Sequence, residues 1–262
     1  MLKIATWNVN SLRVRLLHVL DWLQNHKPDI LALQEIKMTD AQFPIETIQE
    51  IGYHAIFSGQ KTYNGVALLS RLEGNDIVTD LPLMEDPQRR VLGATYNSVR
   101  VLNLYVPNGE AVGSEKYYYK LNWLKHLHDY VRESLKNYSR LIVLGDFNIA
   151  PDDRDLYDPA VWKGRILVSE LERNALKNLL DLGLSDTFRL FEQPPASFSW
   201  WDYRAGSFQR NRGVRIDLIL ASKTPSSDCI TCTIDTEPRS LERPSDHTPV
   251  VATFNFSEKS KL

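Results

Sequence analysis

Pro244-Ser245-Asp246-His247-Thr248-Pro249-Val250 sets an acid beside an imidazole just ahead of an apolar run, and four other places in the chain answer it. Asp146 and Asn148 follow Leu141-Ile142-Val143-Leu144-Gly145. Glu35 follows Leu31-Ala32-Leu33-Gln34, Asn8 follows Ile4-Ala5-Thr6-Trp7, and Asp217 lies within Arg215-Ile216-Asp217-Leu218-Ile219-Leu220. Asp and Asn are poor strand residues, yet each of these β-type runs delivers a carboxylate, carboxamide or imidazole at or near an end. One polar, metal-binding hydrolytic site at the edge of a sheet core is the economical reading.

Phosphodiester hydrolysis needs a cation to neutralise phosphate, a group to orient or deprotonate water, and donors for the transition-state oxygens. Glu35 is the first candidate metal ligand, because Mg²⁺ prefers one or two carboxylates and keeps several waters. Asn8 and Asp246 could complete its shell, although Asn8 alone reads equally as a turn residue. His247 either donates to phosphate or acts as a base through a water, with Asp217 fixing its tautomer. Asp146 and Asn148 alternate around Phe147, a period of two that points both to one face and packs Phe147 behind. A water-activating carboxylate beside a phosphate-holding carboxamide suits that spacing; an Asx turn is the alternative. Tyr105 and Asn108 straddle Val106-Pro107 and could hold non-bridging oxygens, or form a plain loop.

Trp200, Trp201, Tyr203 and Arg204, followed by Arg210, Arg212 and Arg215, interleave aromatic and basic residues. Such a run can stack on bases or sugars and touch backbone phosphates. It can also be a core strand with a solvated basic loop, with at least one of the adjacent indoles packed inward.

Strands at 3–8 and 29–35 flank a helix over about 14–26, in which Leu16, Leu20 and Leu23 share a face. Ser11 is its expected cap and Pro28 its stop. A short helix over 44–51 ends at Gly52. Two strands lie around Lys61-Thr62-Tyr63-Asn64-Gly65, and a hairpin of 90–96 with 99–106 turns at Asn97-Ser98. The longest helix spans about 114–136. Strands at 141–144, 215–221, 229–234 and 250–256 follow, with a helix near 169–182 among them. This mixture predicts a mixed sheet, or two packed sheets with helices outside.

The 262 residues fit one large α/β domain or two small ones, and 43% hydrophobic content excludes a disordered chain. The 31 basic and 33 acidic residues leave a net charge of −2, which argues against a nonspecific DNA coat but not against an enzyme with a local cationic strip. Cys229 and Cys232 lack the second pair a zinc site needs and read as strand thiols. No secretion signal opens the sequence and no apolar run approaches the roughly 20 residues of a membrane span. A reducing, cytoplasmic setting is expected.

Trp7-Asn8-Val9-Asn10-Ser11-Leu12-Arg13, Leu33-Gln34-Glu35-Ile36-Lys37, Tyr105-Val106-Pro107-Asn108, Gly145-Asp146-Phe147-Asn148, Asn211-Arg212-Gly213-Val214-Arg215-Ile216-Asp217 and Ser245-Asp246-His247 together resemble exonuclease III. That family holds the abasic-site endonucleases of base excision repair, and the match runs in order from residue 3 to about 256. The resemblance implies one endonuclease/exonuclease/phosphatase domain over 1–262, a DNase I-like α/β fold in which two mixed β-sheets pack face to face between helices as a four-layer sandwich. It implies a cytoplasmic monomer, without membrane contact, that uses Mg²⁺ or Mn²⁺ on double-stranded DNA. The chemistry implied is cleavage 5′ to an abasic sugar, removal of 3′-blocking groups and 3′→5′ exonuclease action.

Carried over, Glu35, Asn8 and Asp246 are similar to the family's metal shell, with Asp146, Asn148 and His247 in the wider ligand set. Asp146 and Asn148 match its water-activating and phosphate-holding pair, either Asp146 or His247 taking the proton. Tyr105 and Asn108 match its phosphate contacts, Asp217 its partner to the histidine, and Arg13, Lys61 and Arg204 its backbone contacts. With Glu172-Arg173 aligned to the family's Glu-Arg, Leu167 falls where relatives often have Gly or Ser beside the abasic sugar. A leucine there could crowd a flipped-out deoxyribose and leave a recessed 3′ end accessible, so weak abasic-site incision with robust 3′-end trimming is expected. The alternatives are another phosphoesterase of the same fold, acting on inositol phosphates, sphingomyelin or DNA nonspecifically, and a non-catalytic DNA-end binding module.

Overall fold

Apolar runs of period two become strands, and amphipathic runs of helical period become their cover. The computed structural model describes residues 1–82 and 84–256; the single domain expected over 1–262 also takes in residues 83 and 257–262, which lie outside the described residues. In chain order the first half contains β1 (Leu2–Asn8), α1 (Leu12–His26), β2 (Ile30–Gln34), α2 (Ile45–Glu50), β3 (His54–Ser58), β4 (Val66–Ser70), β5 (Asn75–Val78), β6 (Val91–Tyr96) and β7 (Val99–Tyr105). Then come α3 (Glu115–Asn137), β8 (Leu141–Asp146), α4 (Pro159–Trp162), α5 (Glu170–Leu180), β9 (Ser185–Asp186), β10 (Asp217–Ala221), α6 (Lys223–Asp228), β11 (Cys229–Ile234) and β12 (Val250–Phe254).

The strands form two six-stranded mixed sheets, ordered β11-β12-β1-β2-β4-β3 and β5-β6-β7-β8-β10-β9. Side-chain alternation sorts each strand between two cores. Ile4, Ile30, Ala32 and Leu68 of the first sheet meet Ala94, Val101, Ile142, Leu144 and Ile219 of the second. Ala5, Trp7, Leu31 and Leu33 turn outward to Val19, Trp22 and Leu23 of α1 and Ile48 of α2. Leu141, Val143, Leu218 and Leu220 turn outward to Trp123, Leu127 and Val131 of α3 and Leu176 and Leu179 of α5. Each large aliphatic buried this way contributes about 1.5–3 kcal/mol. The expected four-layer sandwich is what forms.

The one N-terminal helix cap expected from the residues, Ser11, fails, while two serines not singled out in advance act as caps. Ser114 and Ser169 cap α3 and α5 through their hydroxyls. Ser11 does not cap α1: its φ is 90° and its side chain bonds no helix N–H. β5 escaped the sequence reading because it is a short, mostly exposed edge strand of mixed polarity. Cys229 and Cys232 are free thiols on β11. Among the described residues no helix is long and apolar enough to cross a membrane.

The space between the sheets is graded. Inward positions run Ile4, Thr6, Asn8 along β1; Val101, Asn103, Tyr105 along β7; and Ile142, Leu144, Asp146 along β8. β10 runs antiparallel to β8, so it begins at the same end with Asp217, paired across from Asp146. Where apolar gives way to polar, Gln34 Nε2 donates to Thr6 Oγ1 at 2.9 Å and to Asn103 Oδ1 at 2.7 Å. Asn103 Nδ2 crosses to Leu33 O and Ala67 O, both at 2.9 Å, which fixes one sheet against the other. Beyond this belt every inward side chain is one that could do chemistry.

Gly145 lets β8 press against β7 immediately before Asp146. Its φ is +143°, and a Cβ there would stand 1.9 Å from Leu104 O. Gly145→Ala is therefore expected to cost about 3 kcal/mol or more, the range of backbone strain combined with overpacking. Urea unfolding of the two proteins measures it, and a difference near zero contradicts this packing.

Candidate active site

Strand ends and the turns that leave them bring the polar groups together. β2 ends and Glu35 follows at φ 52°; β8 ends at Asp146 and Asn148 follows at φ 49°. Non-glycine residues at positive φ cost about 1–2 kcal/mol each, and their concentration at one end of the sandwich marks a place where position outweighs backbone comfort.

His247 is at the centre. Its Nδ1 lies 2.9 Å from Asp217 Oδ2 and its Nε2 lies 3.7 Å from Asp146 Oδ2. All three side chains are buried. Asp217 is anchored through its strand: Ser199 Oγ accepts the N–H groups of Ile216 and Asp217 at 3.1 and 3.0 Å. Asn8 Nδ2 donates to Asp146 Oδ2 at 2.9 Å and to Glu35 Oε1 at 2.8 Å, so one carboxamide clamps two carboxylates from different sheets. Asn148 donates to Asp146 twice, from its N–H at 2.9 Å and from Nδ2 at 3.2 Å, and Asn108 Nδ2 donates to Asn148 Oδ1 at 3.0 Å. Asp246 accepts from Trp200 Nε1 at 3.0 Å and from Asn10 Nδ2 at 2.9 Å.

The electrostatics follow from this packing. Burial alone would lower the His247 pKa, but the charges of Asp217 and Asp146 outweigh it and push the imidazole up, toward a held imidazolium. Burial raises Asp146, with Asp217 adding to the rise while His247 and the bond from Asn8 oppose it. Asp246 is held below the usual carboxylate range: its burial is more than offset by His247 and by the bonds from Trp200 and Asn10. Burial, then Glu35 and Asp146, push Tyr105 far up, so it stays a neutral phenol and a proton donor.

Four carboxylates thus face His247 and Lys37, whose Nζ lies 2.9 Å from Glu35 Oε2. Ligand atoms of Glu35, Asp146 and His247 fall within 4.8 Å of one another. Carboxylate oxygens in excess over nearby cations are the donor set that hard divalent ions take, so these residues fit such an ion.

The structure places the expected residues unevenly. Asn8, Glu35, Tyr105, Asn108, Asp146, Asn148, Asp217, Asp246 and His247 share this end of the sandwich. Asn8 turns its amide nitrogen to the carboxylates, and its Oδ1 is taken by the N–H of Asn10 at 3.0 Å, so it acts here as a clamp and not as an oxygen donor. Both nitrogens of His247 face carboxylates, an arrangement suited to donation more than to ligation. Arg13 and Lys61 are exposed. Arg204 is exposed too and pairs with Asp202 at 2.8 Å; none of the three bonds the acidic group among the described residues. Trp201 departs from the substrate-stacking expectation: it is 1% exposed, packs edge-on to Phe208 at 5.1 Å, and donates to Asn211 Oδ1. Period-two alternation sends it inward where Trp200 faces the site. Leu167 is buried in an apolar wall with Ala150, Leu156, Val214 and Ile216, against which Trp162 and Trp200 pack.

Several contributors were not read from sequence. Arg90 lies over the Tyr105 ring at 4.7 Å. Lys120 is wholly buried within α3, and its Nζ donates to Glu172 Oε1 at 2.5 Å, Asn148 O at 2.6 Å and Asn108 O at 3.1 Å. Glu172 Oε1 also accepts the Leu167 N–H at 3.1 Å. One ion pair therefore ties both carboxamide loops and the Leu167 turn to two helices. Ser169 and Glu172 form a capping box at the start of α5; a lysine on an amphipathic helix gives no sign that it turns inward.

Asp217→Asn tests the central pairing. Removing the charge that favours the imidazolium is expected to lower the His247 pKa, and NMR titration of the ring in metal-free protein reads this directly. Turnover is expected to fall about 10²–10⁴-fold, the range of a positioned acid–base group; an unmoved His247 titration contradicts the assignment.

Comparison with known proteins agrees with this geometry. Residues 5–247 match the model of the endonuclease/exonuclease/phosphatase family. An exodeoxyribonuclease III of Haemophilus influenzae is 35% identical, with 97% of this chain and all of that protein covered. An exodeoxyribonuclease of Bacillus subtilis is 32% identical over the same shares. Among solved structures, a 3′ phosphatase from Neisseria bound to a product DNA hairpin is 48% identical, with a TM-score of 0.96 over 98% of this chain and 100% of that one. An AP endonuclease from Archaeoglobus fulgidus is 41% identical, with a TM-score of 0.94 over 97% of this chain and 100% of that one. With its fold, its acidic strand ends and these relatives in agreement, the chain belongs to the endonuclease/exonuclease/phosphatase family, as a repair nuclease of the exonuclease III type.

Proposed function

We propose that this nuclease hydrolyses phosphate esters at the 3′ ends of double-stranded DNA, phosphodiesters of the strand and 3′-blocking groups including a terminal 3′-phosphate, with Mg²⁺ or Mn²⁺, and incises internal abasic sites more weakly. The observation that carries the reading is the buried Asp146–His247–Asp217 arrangement with Glu35 alongside, at the open end of two sheets. The similar Neisseria 3′ phosphatase with product DNA and the similar archaeal AP endonuclease support the two substrate classes.

A divalent cation held by the Glu35 carboxylate with Asp246, and with Asp146 in reach, would neutralise phosphate charge and lower the pKa of a bound water, while Asn8 clamps Glu35 and Asp146 through its amide nitrogen. The chain's own groups supply the rest. Asp146 Oδ2 is the acceptor for the proton of the attacking water, and Asn8 and Asn148 hold that carboxylate in place. The His247 imidazolium, the neutral Tyr105 hydroxyl and the amide of Asn108, which Asn148 orients, are donors for the non-bridging oxygens. As water adds to phosphorus, the bond to the leaving oxygen breaks. A groove of about 700 Å³ bounded by Tyr63, Arg90, Asn108 and Lys116 continues from Asn108 and offers cations to the DNA backbone. Arg13, Lys61, Trp200 and Arg204 extend that contact; Trp201 supports the loop from within.

Leu167 sets the substrate bias. It adopts φ +77°, a conformation natural to glycine and costly to leucine. Its N–H is held by Glu172 and its carbonyl by Ala150, so the backbone is fixed and the side chain fills the wall beside Trp200. The leucine stands in a conformation where glycine would sit at ease, and its side chain fills the wall, which leaves little room for a flipped-out sugar.

The test follows a labelled duplex with one internal abasic site and another with a recessed 3′-phosphate, each with Mg²⁺ and with chelator. Removal of the 3′-phosphate that chelator abolishes, with weaker abasic incision, is expected. Leu167→Gly should shift the ratio toward incision by about tenfold, near the ratio that differential fit of a small group supplies. An unchanged ratio removes Leu167 from the account, and no action on either duplex removes the function.

A further inference from the structure

The loop over residues 200–213 and the segment over 243–247 meet along main-chain pairing. Trp201 N–H donates to Asp246 O at 3.0 Å, and Trp200 bridges to His247. Next to that seam stands a guanidinium that hydrolysis does not use. Arg239, on the 3₁₀ turn Glu237–Ser240, is 6% exposed. Its guanidinium carbon lies 4.9 Å from the Phe208 ring centroid, 5.7 Å from that of Tyr203 and 5.9 Å from that of Trp201. One Nη donates to Ser245 O at 2.5 Å.

Ser245 is itself a junction. Its Oγ donates to Asn8 O at 2.7 Å and accepts the N–H of His247 at 3.2 Å. Arg15 reaches the same segment from α1: its Nη1 donates to Asn10 O at 2.5 Å, and its Nη2 donates to Pro244 O at 2.8 Å and to Tyr203 OH at 3.1 Å. Tyr203 OH donates in turn to Pro244 O at 2.9 Å. An arginine stays charged at any working pH, so once buried it must keep both its ring faces and its carbonyl acceptor. Displacing the rings of the loop therefore strains the Ser245 contact, and through Ser245 the placement of His247 and Asn8.

We propose that Arg239, backed by Arg15, is a positioning residue that fastens the basic-aromatic loop to the Asp246-His247 segment. Seating duplex DNA on the loop then sets the geometry of the acid–imidazole pair. This rests on the DNA-hydrolysing reading of the site. A cavity of about 490 Å³ bounded by Tyr203, Phe208, Arg239, Leu241 and Pro244 already lies beside the guanidinium, so truncating it enlarges an existing space.

Hydrogen exchange of metal-free, DNA-free protein and steady-state kinetics on a recessed 3′-phosphate duplex test the fastening in Arg239→Met and Arg239→Lys. For methionine, protection is expected to fall about tenfold in 200–213 and in 245–247 together, the sign of a shared opening unit. Its kcat should fall and its KM rise, each about fivefold. Lysine can still bond Ser245 O but offers no plane to the rings, so it should restore kcat more than KM. Exchange lost in only one segment, or wild-type kcat and KM in the methionine variant, overturns the proposal. Should that variant not fold, Phe208→Leu removes the nearest ring against the Arg239 guanidinium, 4.9 Å away, and leaves the bond to Ser245 O in place. A paired loss of about threefold is then expected, and no change overturns. If wild-type protein does not act on DNA, the functional reading fails on its own, and the paired exchange still reports on the fastening.

Discussion

His247 lies between Asp217 at 2.9 Å and Asp146 at 3.7 Å with all three buried, and much of the surrounding structure answers the cost of that burial. A desolvated charge is tolerated only when paired and hydrogen-bonded. Ser199 secures the backbone under Asp217, Asn8 and Asn148 bond Asp146, and Ser245 holds the N–H of His247. Those partners come from β1 and three loops, and the two carboxylates from β8 and β10, so the pairing requires both sheets to be in register with each other. The Gln34–Asn103 bonds that cross between the sheets supply that register one layer deeper.

The grading of the inter-sheet space explains why the site lies at one end. The inward strand faces begin with aliphatic residues that drive the two sheets together, pass on β1, β2 and β7 through a belt of a buried hydroxyl and amides, and end in Asn8, Tyr105 and the carboxylates of Asp146 and Asp217. An apolar interior at the far end provides stability, while the polar end accumulates negative charge that Lys37 and His247 only partly offset. The left-handed turns at Glu35, Asn148 and Leu167 add local strain at the same end. Stability made in one region thus supports groups held at a cost in another, and the Lys120–Glu172 pair, buried beneath the carboxamide loops, keeps that end from relaxing.

Much of this was legible in the residues, for physical reasons that differ by element. Strands such as β2 and β8 announce themselves by apolar runs, and the polar residues that end them stand out because strands disfavour them. α3 declares its buried face at Leu124 and Val131. Ser11 misled because a serine before a helix is only sometimes a cap; here the chain turns sharply to bring Asn10 back to Asp246. Adjacent tryptophans could not be told apart until alternation was anchored, and Trp201 proved to be the inward one. Asn8 was recognisable as a site residue, but which end of its amide meets the carboxylates depends on Asn10. Lys120, Arg239 and Arg15 gave no signal because a long cationic side chain normally reads as solvated, and their partners are distant in sequence.

The claim that a divalent cation belongs among these strand-end carboxylates can be met head on. Crystals of the protein soaked in MnCl₂ would be measured at a wavelength where manganese scatters anomalously. A peak bonded to the Glu35 carboxylate, on the side facing Asp146 and Asp246, is expected, with Lys37 displaced from Glu35. A peak only elsewhere, or none at manganese concentrations that support catalysis, would contradict it.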